Sequence, residues 1–340
     1  MKNDNLSKYA KNYKTKANVL DNLPVEVFLE ASNCCNIKCL MCASRDGSWK
    51  RPLAPVMPLD LIKKITPFFN SALLVHAFGF GEPLLNKNLL KIVCLAKNKG
   101  AEVDFFTNGT LLSRGISAAL VKIGVDQITI SFNAGTSRTY EKIHKGAQFD
   151  KVIENVVYLN NIKKMMRIKK PKLVINYIAM NMNFHELPLL VDIASSMGVE
   201  LVEIKELVTY GHLPEMISER RRYSSKEDDP IIELSNKIAS QKGVSVFFDY
   251  YRDNGISNSN ISSSICFQPW RTLYVASDGN VKPCCFYWDN SFMGNLYEES
   301  IEEIWNNSKY QKLRNDIAQG IYPEGCKHCL EFSLRPIAES

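Results

Sequence analysis

Nine of the ten cysteines in this chain of 340 residues fall into two groups. In the first, Cys35-Asn36-Ile37-Lys38-Cys39-Leu40-Met41-Cys42 has the spacing C-x3-C-x2-C. Thiolates are soft ligands that suit zinc and iron–sulfur clusters, and grouped cysteines are seldom disulfides in a reducing compartment. A loop this short can bring three thiolates to one side. A cubane cluster takes one protein ligand per iron, so three cysteines leave one iron open to a small molecule. The alternative is a zinc knot completed by Cys34, which the adjacent pair Cys34 and Cys35 fits poorly, because a single tetrahedral ion spreads its ligands. The second group is Cys266, Cys284, Cys285, Cys326 and Cys329, and it closes with a C-x2-C pair. Two distant cysteines plus such a pair make a four-ligand site, and both a structural zinc and a fully ligated cluster suit it.

These side chains need a scaffold that presents them. From residue 25 to about residue 210, strand-like apolar runs alternate with helix-like segments. The strands are read at 25–29, 72–78, 102–106, 127–132, 172–179 and 199–205. Near-continuous apolar strands separated by helices argue for a parallel sheet covered by helices. Six such units use fewer residues than the roughly 250 of a closed eight-fold barrel, so the expected fold is α/β, a partial (β/α)6 TIM-like barrel. Ligands of such folds sit at the C-terminal strand ends. The first cysteine loop, Gly79-Phe80-Gly81-Glu82-Pro83, Thr107-Asn108-Gly109 and Ser131-Phe132-Asn133-Ala134 all fall there. The expected organisation is a polar N-terminal tail (1–20), the barrel (21–213), a bridging segment with one helix and one strand (214–264), and a small Cys-rich α+β cluster-binding domain (265–340). The main helix of that last domain is read at 300–317.

The cysteine loop after the first strand of a partial barrel resembles the signature of the radical S-adenosylmethionine (SAM) superfamily. The resemblance implies a [4Fe–4S] cluster on Cys35, Cys39 and Cys42 whose open iron binds SAM. It also implies a 5′-deoxyadenosyl radical that removes a hydrogen atom from substrate. Residues 79–83 are similar to the family's GGEP motif, with Phe80 in place of a glycine. The SAM contacts implied are Met41, Gly81, Glu82, Pro83, Asn108, Ser131, Asn133 and His144. Gly81 permits close backbone approach, and Glu82 supplies an acceptor for an ammonium group. Asn133 and Ala134 replace the Asp and Gly of the family's S-x-D-G. His144 aligns with a family arginine that pairs with the SAM carboxylate, and Lys145 beside it is a second candidate.

Toward the C-terminus, Cys266, Pro269-Trp270, the G-x4-C run from Gly279 to Cys284, Gly294-Asn295-Leu296, Ile304-Trp305 and the closing C-x2-C resemble the SPASM/twitch auxiliary-cluster domain. The further C-x2-C-x5-C-x3-C block of a full SPASM domain is missing from the sequence. The resemblance therefore implies one auxiliary [4Fe–4S] cluster, on Cys266, Cys284, Cys326 and Cys329. Cys285 is left over, either as a spare thiol beside the cluster or as the hydrogen donor of a radical epimerase.

Composition narrows the setting. With 45% apolar and 23% charged residues the chain is ordinary globular material. No run approaches the roughly 18 apolar residues of a membrane span, and no early apolar run marks a secretory signal, so a cytoplasmic protein without membrane contact is expected. The formal charge is +6, but the basic clusters lack aromatic interleaving or a nucleic-acid motif, so no nucleic-acid partner is expected. A basic face suits an acidic electron donor, and the family resemblance implies an external low-potential one such as flavodoxin or ferredoxin. An auxiliary cluster suggests electron traffic. The resemblance to twitch-bearing enzymes implies dehydrogenation or epimerisation of a small polar substrate, sugar- or aminocyclitol-like, and Glu206, Tyr210, His212, Tyr250 and Arg252 are candidates to line its pocket. One alternative is radical modification of a peptide or protein side chain. Only about 20 residues precede the first strand, too few for the separate peptide-binding domain of many peptide-directed relatives. The other is a non-catalytic zinc-binding protein.

Overall fold

The structure, a computed structural model, describes residues 1–42, 54–208, 213–221, 230–249, 265–287 and 291–327. The six expected strands form as β1 (Glu26–Leu29), β3 (Leu74–His76), β4 (Glu102–Thr107), β5 (Gln127–Ser131), β7 (Lys172–Ala179) and β8 (Leu201–Glu206). Between them, the short β2 (Lys38–Cys39) and β6 (His144–Lys145) pair only with each other. Further on come β9 (Ser245–Asp249), β10 (Thr272–Val275), β11 (Asn280–Lys282) and β12 (Gly294–Asn295). One sheet runs in the order β12-β11-β10-β1-β3-β4-β5-β7-β8-β9. From β10 to β9 every neighbouring pair is parallel, while β11 and β12 are antiparallel additions.

The barrel sheet is thus longer than six strands. The strand of the bridging segment, β9, adds to β8. At the other end β10 lies in register with β1, Glu26 opposite Thr272 and Leu29 opposite Val275. The cysteine-rich region therefore continues the barrel's own sheet across β1. Local periodicity reveals a strand but not its partner when that partner is far along the chain.

Alternation along the strands divides the two faces. Val27, Leu29, Val75, Val103, Phe105, Ile128, Ile130, Ile175, Val202 and Ile204 are buried in the outer core. That core packs under α2 (Leu59–Ile65), α3 (Leu89–Asn98), α4 (Arg114–Ile123), α6 (Phe149–Met166) and α7 (Leu187–Met197); α1 (Lys2–Thr15) and α5 (Ser137–Ile143) are the remaining helices of this half. The alternate residues Phe28, His76, Asp104, Phe106, Ser131, Asn176 and Lys205 line the inner face. Lys205 Nζ lies 5.7 Å from the Phe106 ring centre. Their strands stand three spacings apart, about 14 Å on a flat sheet, so this contact reflects a curled, barrel-like sheet.

Residues 1–20 are not a tail. Within α1, Asn5 and Asn12 are buried. Asn5 Nδ2 donates to the Leu23 carbonyl at 3.1 Å, and Leu23 N donates back to Asn5 Oδ1 at 2.8 Å. Tyr13 donates its hydroxyl to the Ile265 carbonyl at 2.8 Å, and Trp270 Nε1 donates to Ala17 O at 2.8 Å. The docked face is made of asparagine and tyrosine rather than leucine, so a search for apolar periodicity passes over it.

The remaining helices are α8 (Pro230–Lys242), α9 (Gln268–Arg271), α10 (Ile301–Trp305), α11 (Ser308–Ala318) and α12 (Glu324–Lys327). The helix expected at 300–317 is broken in two. Asn307 accepts from the backbone N–H groups of Lys309 and Tyr310, and so starts α11 afresh. From α11 the fully buried Arg314 donates to the carbonyls of Pro269 (2.9 Å), Asn18 (2.9 Å) and Trp305 (2.7 Å). Among the described residues, no helix is long and apolar enough to cross a membrane.

Candidate active site and metal centres

The chain leaves β1 at the C-terminal edge of the sheet and enters the first cysteine loop. Backbone pairing with the glycine-rich loop after β3 shapes it: Gly81 N donates to Ser32 O at 3.1 Å, and Glu82 N to Cys34 O at 2.8 Å. A Cβ on Gly81 would lie 2.5 Å from the Ser32 carbonyl oxygen and closer still to that of Cys34. The close approach that demands glycine is therefore to the cysteine loop. Asn108 plays a similar part. Its Nδ2 donates to Asn36 Oδ1 at 3.0 Å and toward Cys35 Sγ at 3.8 Å, while its Oδ1 accepts from Thr110 N at 2.9 Å. On the far side, Leu40 N donates to Ile143 O at 2.9 Å, and β2 pairs with β6 so that Cys39 faces His144.

This tethering gathers the three thiols. Burial pushes the Cys39 thiol well above its ordinary range, and nearby Cys42 and Cys35 push it further. Cys35, which remains exposed, is also raised, first by burial of its sulfur and then by Glu82 and Cys42. Neutral thiols crowded in this way become thiolates when a cationic metal centre sits among them. No three His, Cys, Asp or Glu side chains among the described residues converge as a single-ion site does. Thiolates on a cubane each take a separate iron, so three neighbouring cysteines suit a cluster with one open position.

Beside the trio, Glu82 is buried with three donors on it. Oε1 accepts from Thr107 Oγ1 at 2.8 Å and Leu84 N at 3.1 Å, and Oε2 accepts from Asn108 N at 2.8 Å. Burial raises its pKa to about 7 against those hydrogen bonds. A carboxylate offers about four acceptor positions, so room is left for one more donor. Pro83 opens the short 3-10 turn that Glu82 caps.

Unsatisfied polar atoms mark where a ligand fits. Ser131 at the end of β5 lies opposite Asn176 of β7, whose buried Oδ1 has no hydrogen-bond partner. The buried Tyr140 hydroxyl is likewise unpartnered, and it lies near enough to Cys39 for that thiol to raise its pKa, after burial. Met41 packs in a small apolar cluster with Ile143, Met180, Leu207, Leu213 and Met216, beside Cys39. Asn176 was not among the expected site residues; its signal is a polar side chain in the middle of an apolar strand.

Two expected SAM contacts turn elsewhere. Asn133 is fully buried; its Oδ1 accepts from Ile178 N at 2.7 Å and its Nδ2 lies 3.2 Å from His144 Nε2. His144 Nδ1 is 3.2 Å from Cys39 Sγ. With both ring nitrogens engaged, and burial lowering its pKa to about 4, His144 has no cationic face for a SAM carboxylate. Lys145 is exposed and lies opposite the exposed Lys38. The loop carrying Asn133 is anchored by Glu186, which accepts from Gly135 N (2.8 Å), Thr136 N (3.0 Å), Thr136 Oγ1 (2.8 Å) and Thr139 Oγ1 (2.5 Å).

At the second group, burial pushes the Cys284 thiol well up, and Cys285, Cys266 and Cys326 add to it in that order. Four of the five cysteines thus assemble. Cys329 lies outside the described residues, as do Tyr210, His212, Tyr250 and Arg252. Cys285 is also close enough to the buried Tyr274 to raise its pKa, behind burial and Glu30. Glu30, which closes the strand run Val-Phe-Leu-Glu, was not anticipated either. Its Oε1 accepts from Phe80 N at 3.5 Å and its Oε2 from Ser277 N at 3.3 Å, joining the loop after β3 to the turn after β10.

Two family models match this chain: the radical SAM superfamily over residues 29–188, and SPASM, an iron–sulfur cluster-binding domain, over residues 266–330. The chain is 24% identical over 331 residues to the tungsten-containing aldehyde ferredoxin oxidoreductase cofactor-modifying protein of Pyrococcus furiosus, covering 91% of this chain and 87% of that one. It is 23% identical over 317 residues to the PqqA peptide cyclase of Granulibacter bethesdensis, covering 90% and 79%. Among solved structures, Streptococcus suis SuiB bound to its precursor peptide SuiA has the same fold, with a TM-score of 0.66 and 18% identity over 91% of this chain and 70% of that one.

Proposed function

Because the chain belongs to the radical SAM superfamily and carries a C-terminal SPASM domain, we propose that it modifies a side chain of a peptide or protein by radical chemistry begun at Cys35, Cys39 and Cys42. Held by these cysteines, a [4Fe–4S] cluster together with SAM would supply the electron and the 5′-deoxyadenosyl radical needed to take a hydrogen atom from substrate. The chain's own residues do the holding. Glu82 receives the SAM ammonium, and Ser131 with the unpartnered Asn176 Oδ1 receives hydroxyl groups of the ribose. The apolar cluster around Met41 and Met180 offers a dry surface to the adenine. Cys266, Cys284, Cys326 and Cys329 hold one auxiliary cluster, with Cys285 a spare thiol at its side.

The observation that carries this reading is the gathering of the three thiols beside buried Glu82 at the strand ends. The peptide substrate rests on kinship, through the PqqA peptide cyclase and the SuiB fold, and has more support than the small polar substrate expected from sequence. Anaerobic reconstitution followed by iron and sulfide counting tests the first part. Incubation with SAM and dithionite should then yield 5′-deoxyadenosine. Short peptides encoded beside the gene should accelerate that yield and change mass. A zinc-loaded, colourless protein that leaves SAM intact would sink the whole reading. Acceleration by sugars or aminocyclitols alone, with no peptide changed in mass, would sink the peptide substrate and restore the small molecule.

A further inference from the structure

Asn133 and His144 both depart from the family pattern they align with, and in the structure they touch. The Asn133 amide can be oriented without ambiguity. Its Oδ1 accepts from the backbone N–H of Ile178 at 2.7 Å, and a backbone N–H can only donate. The group turned toward His144 Nε2, at 3.2 Å, is therefore the amide nitrogen. An amide N–H also only donates, so Nε2 must carry a lone pair and the ring's single proton must sit on Nδ1. That atom lies 3.2 Å from Cys39 Sγ. The two-residue ladder of β2 and β6 sets Cys39 and His144 directly opposite each other. Asn133 and His144 are fully buried, so water does not compete, and the Tyr140 ring packs on the imidazole with centres 4.6 Å apart.

An aspartate at position 133 could only accept. It would turn the imidazole proton to Nε2 and leave a lone pair facing the sulfur, or else force a charged ring into the core. The two departures compensate each other.

We propose that Asn133 and His144 form a positioning pair for Cys39, in which the asparagine fixes the imidazole tautomer and the imidazole donates a neutral N–H to the Cys39 thiolate. Hydrogen bonds to cluster sulfurs are among the factors that set reduction potential; a donor stabilises the added negative charge, so this one eases electron entry. The proposal rests on the reading of Cys39 as a cluster ligand, and its test has one arm that does not.

In cluster-free protein labelled with 15N-histidine, the His144 resonances should report a proton on Nδ1; a proton on Nε2 would overturn the pair. In reconstituted enzyme, potentiometric EPR of the signal that shifts on adding SAM isolates the cluster with the open iron. His144→Phe keeps an aromatic ring against Tyr140 but removes the donor. It should make the potential more negative, with the ratio of reduced to oxidised cluster at a fixed applied potential falling about tenfold, or 59 mV for a one-electron couple. His144→Gln, which can still offer an amide N–H, should restore most of that. An iron-replete His144→Phe enzyme with wild-type potential refutes this proposal alone. Wild-type protein that takes up no iron refutes the reading of the cysteines. Should His144→Phe fail to fold, His144→Gln and the tautomer measurement decide.

Discussion

At the first cysteine site the thiols hang on a loop tied down by polar side chains: Asn108 on Asn36, Glu82 on the loop after β4, His144 against Cys39. Cys35 stays exposed there, and buried polar atoms are left without partners. Around the second site the ties are bulk and burial. Trp270, Trp305 and Tyr310 are fully buried, and Arg314 is locked onto three backbone carbonyls. A site that admits and releases a small molecule needs open coordination and unspent hydrogen-bonding groups. One that only passes electrons is better served by a closed shell. The contrast agrees with the proposed division, in which the first site exchanges a small molecule and the second passes electrons.

The largest effect expected is a split between two triple variants. Cys35, Cys39 and Cys42 replaced together by alanine should abolish 5′-deoxyadenosine formation and lose the SAM-responsive iron signal. Replacing Cys266, Cys284 and Cys326 should leave SAM cleavage running while modified product disappears. Equal loss of SAM cleavage in both variants would erase the proposed division of labour. Next is Gly81→Ala, whose Cβ pushes the cysteine loop off its mooring. Displacements near 1 Å cost about a hundredfold in activity, so SAM cleavage should fall by about that much with the melting temperature little changed.

Arg314→Met tests the other region. Burial lowers the Arg314 pKa to about 10, so it is still charged at neutral pH. Removing it strands three carbonyls and should cost at least about 3 kcal/mol in chemical denaturation. A milder effect is the pH dependence of SAM affinity. With its pKa raised to about 7, Glu82 must shed a proton before it can receive an ammonium group at lower pH. Calorimetry should therefore show affinity weakening, toward tenfold per unit, as pH falls below about 7, and Glu82→Gln should flatten the profile. Smallest of all, Cys285→Ala should leave the rate of peptide product close to wild type. Continued SAM cleavage without product would instead make Cys285 a hydrogen donor.

The sequence made the strands legible because they are buried, apolar and regular, and it made the cysteines legible because their chemistry is rare. It was less informative about partners. Glycine at 81 signals close approach, but not that the neighbour is the Ser32–Cys34 backbone. Asn108, Asn133 and His144 read as ligand contacts because they occupy motif positions, yet each spends its hydrogen bonds on protein. Asn176 and Glu30 were passed over because a lone polar residue in a strand carries no motif. Helix α1 was hidden by an amide-rich buried face.

One consequence of the seam between β1 and β10 concerns the ribosome. β1 leaves the ribosome roughly 240 residues ahead of β10, some 10–50 s at 5–20 residues per second. For that interval one flank of β1 offers bare amides and carbonyls to any neighbouring strand. Slower growth or chaperone cover during translation should therefore raise the yield of native protein more than any later refolding step.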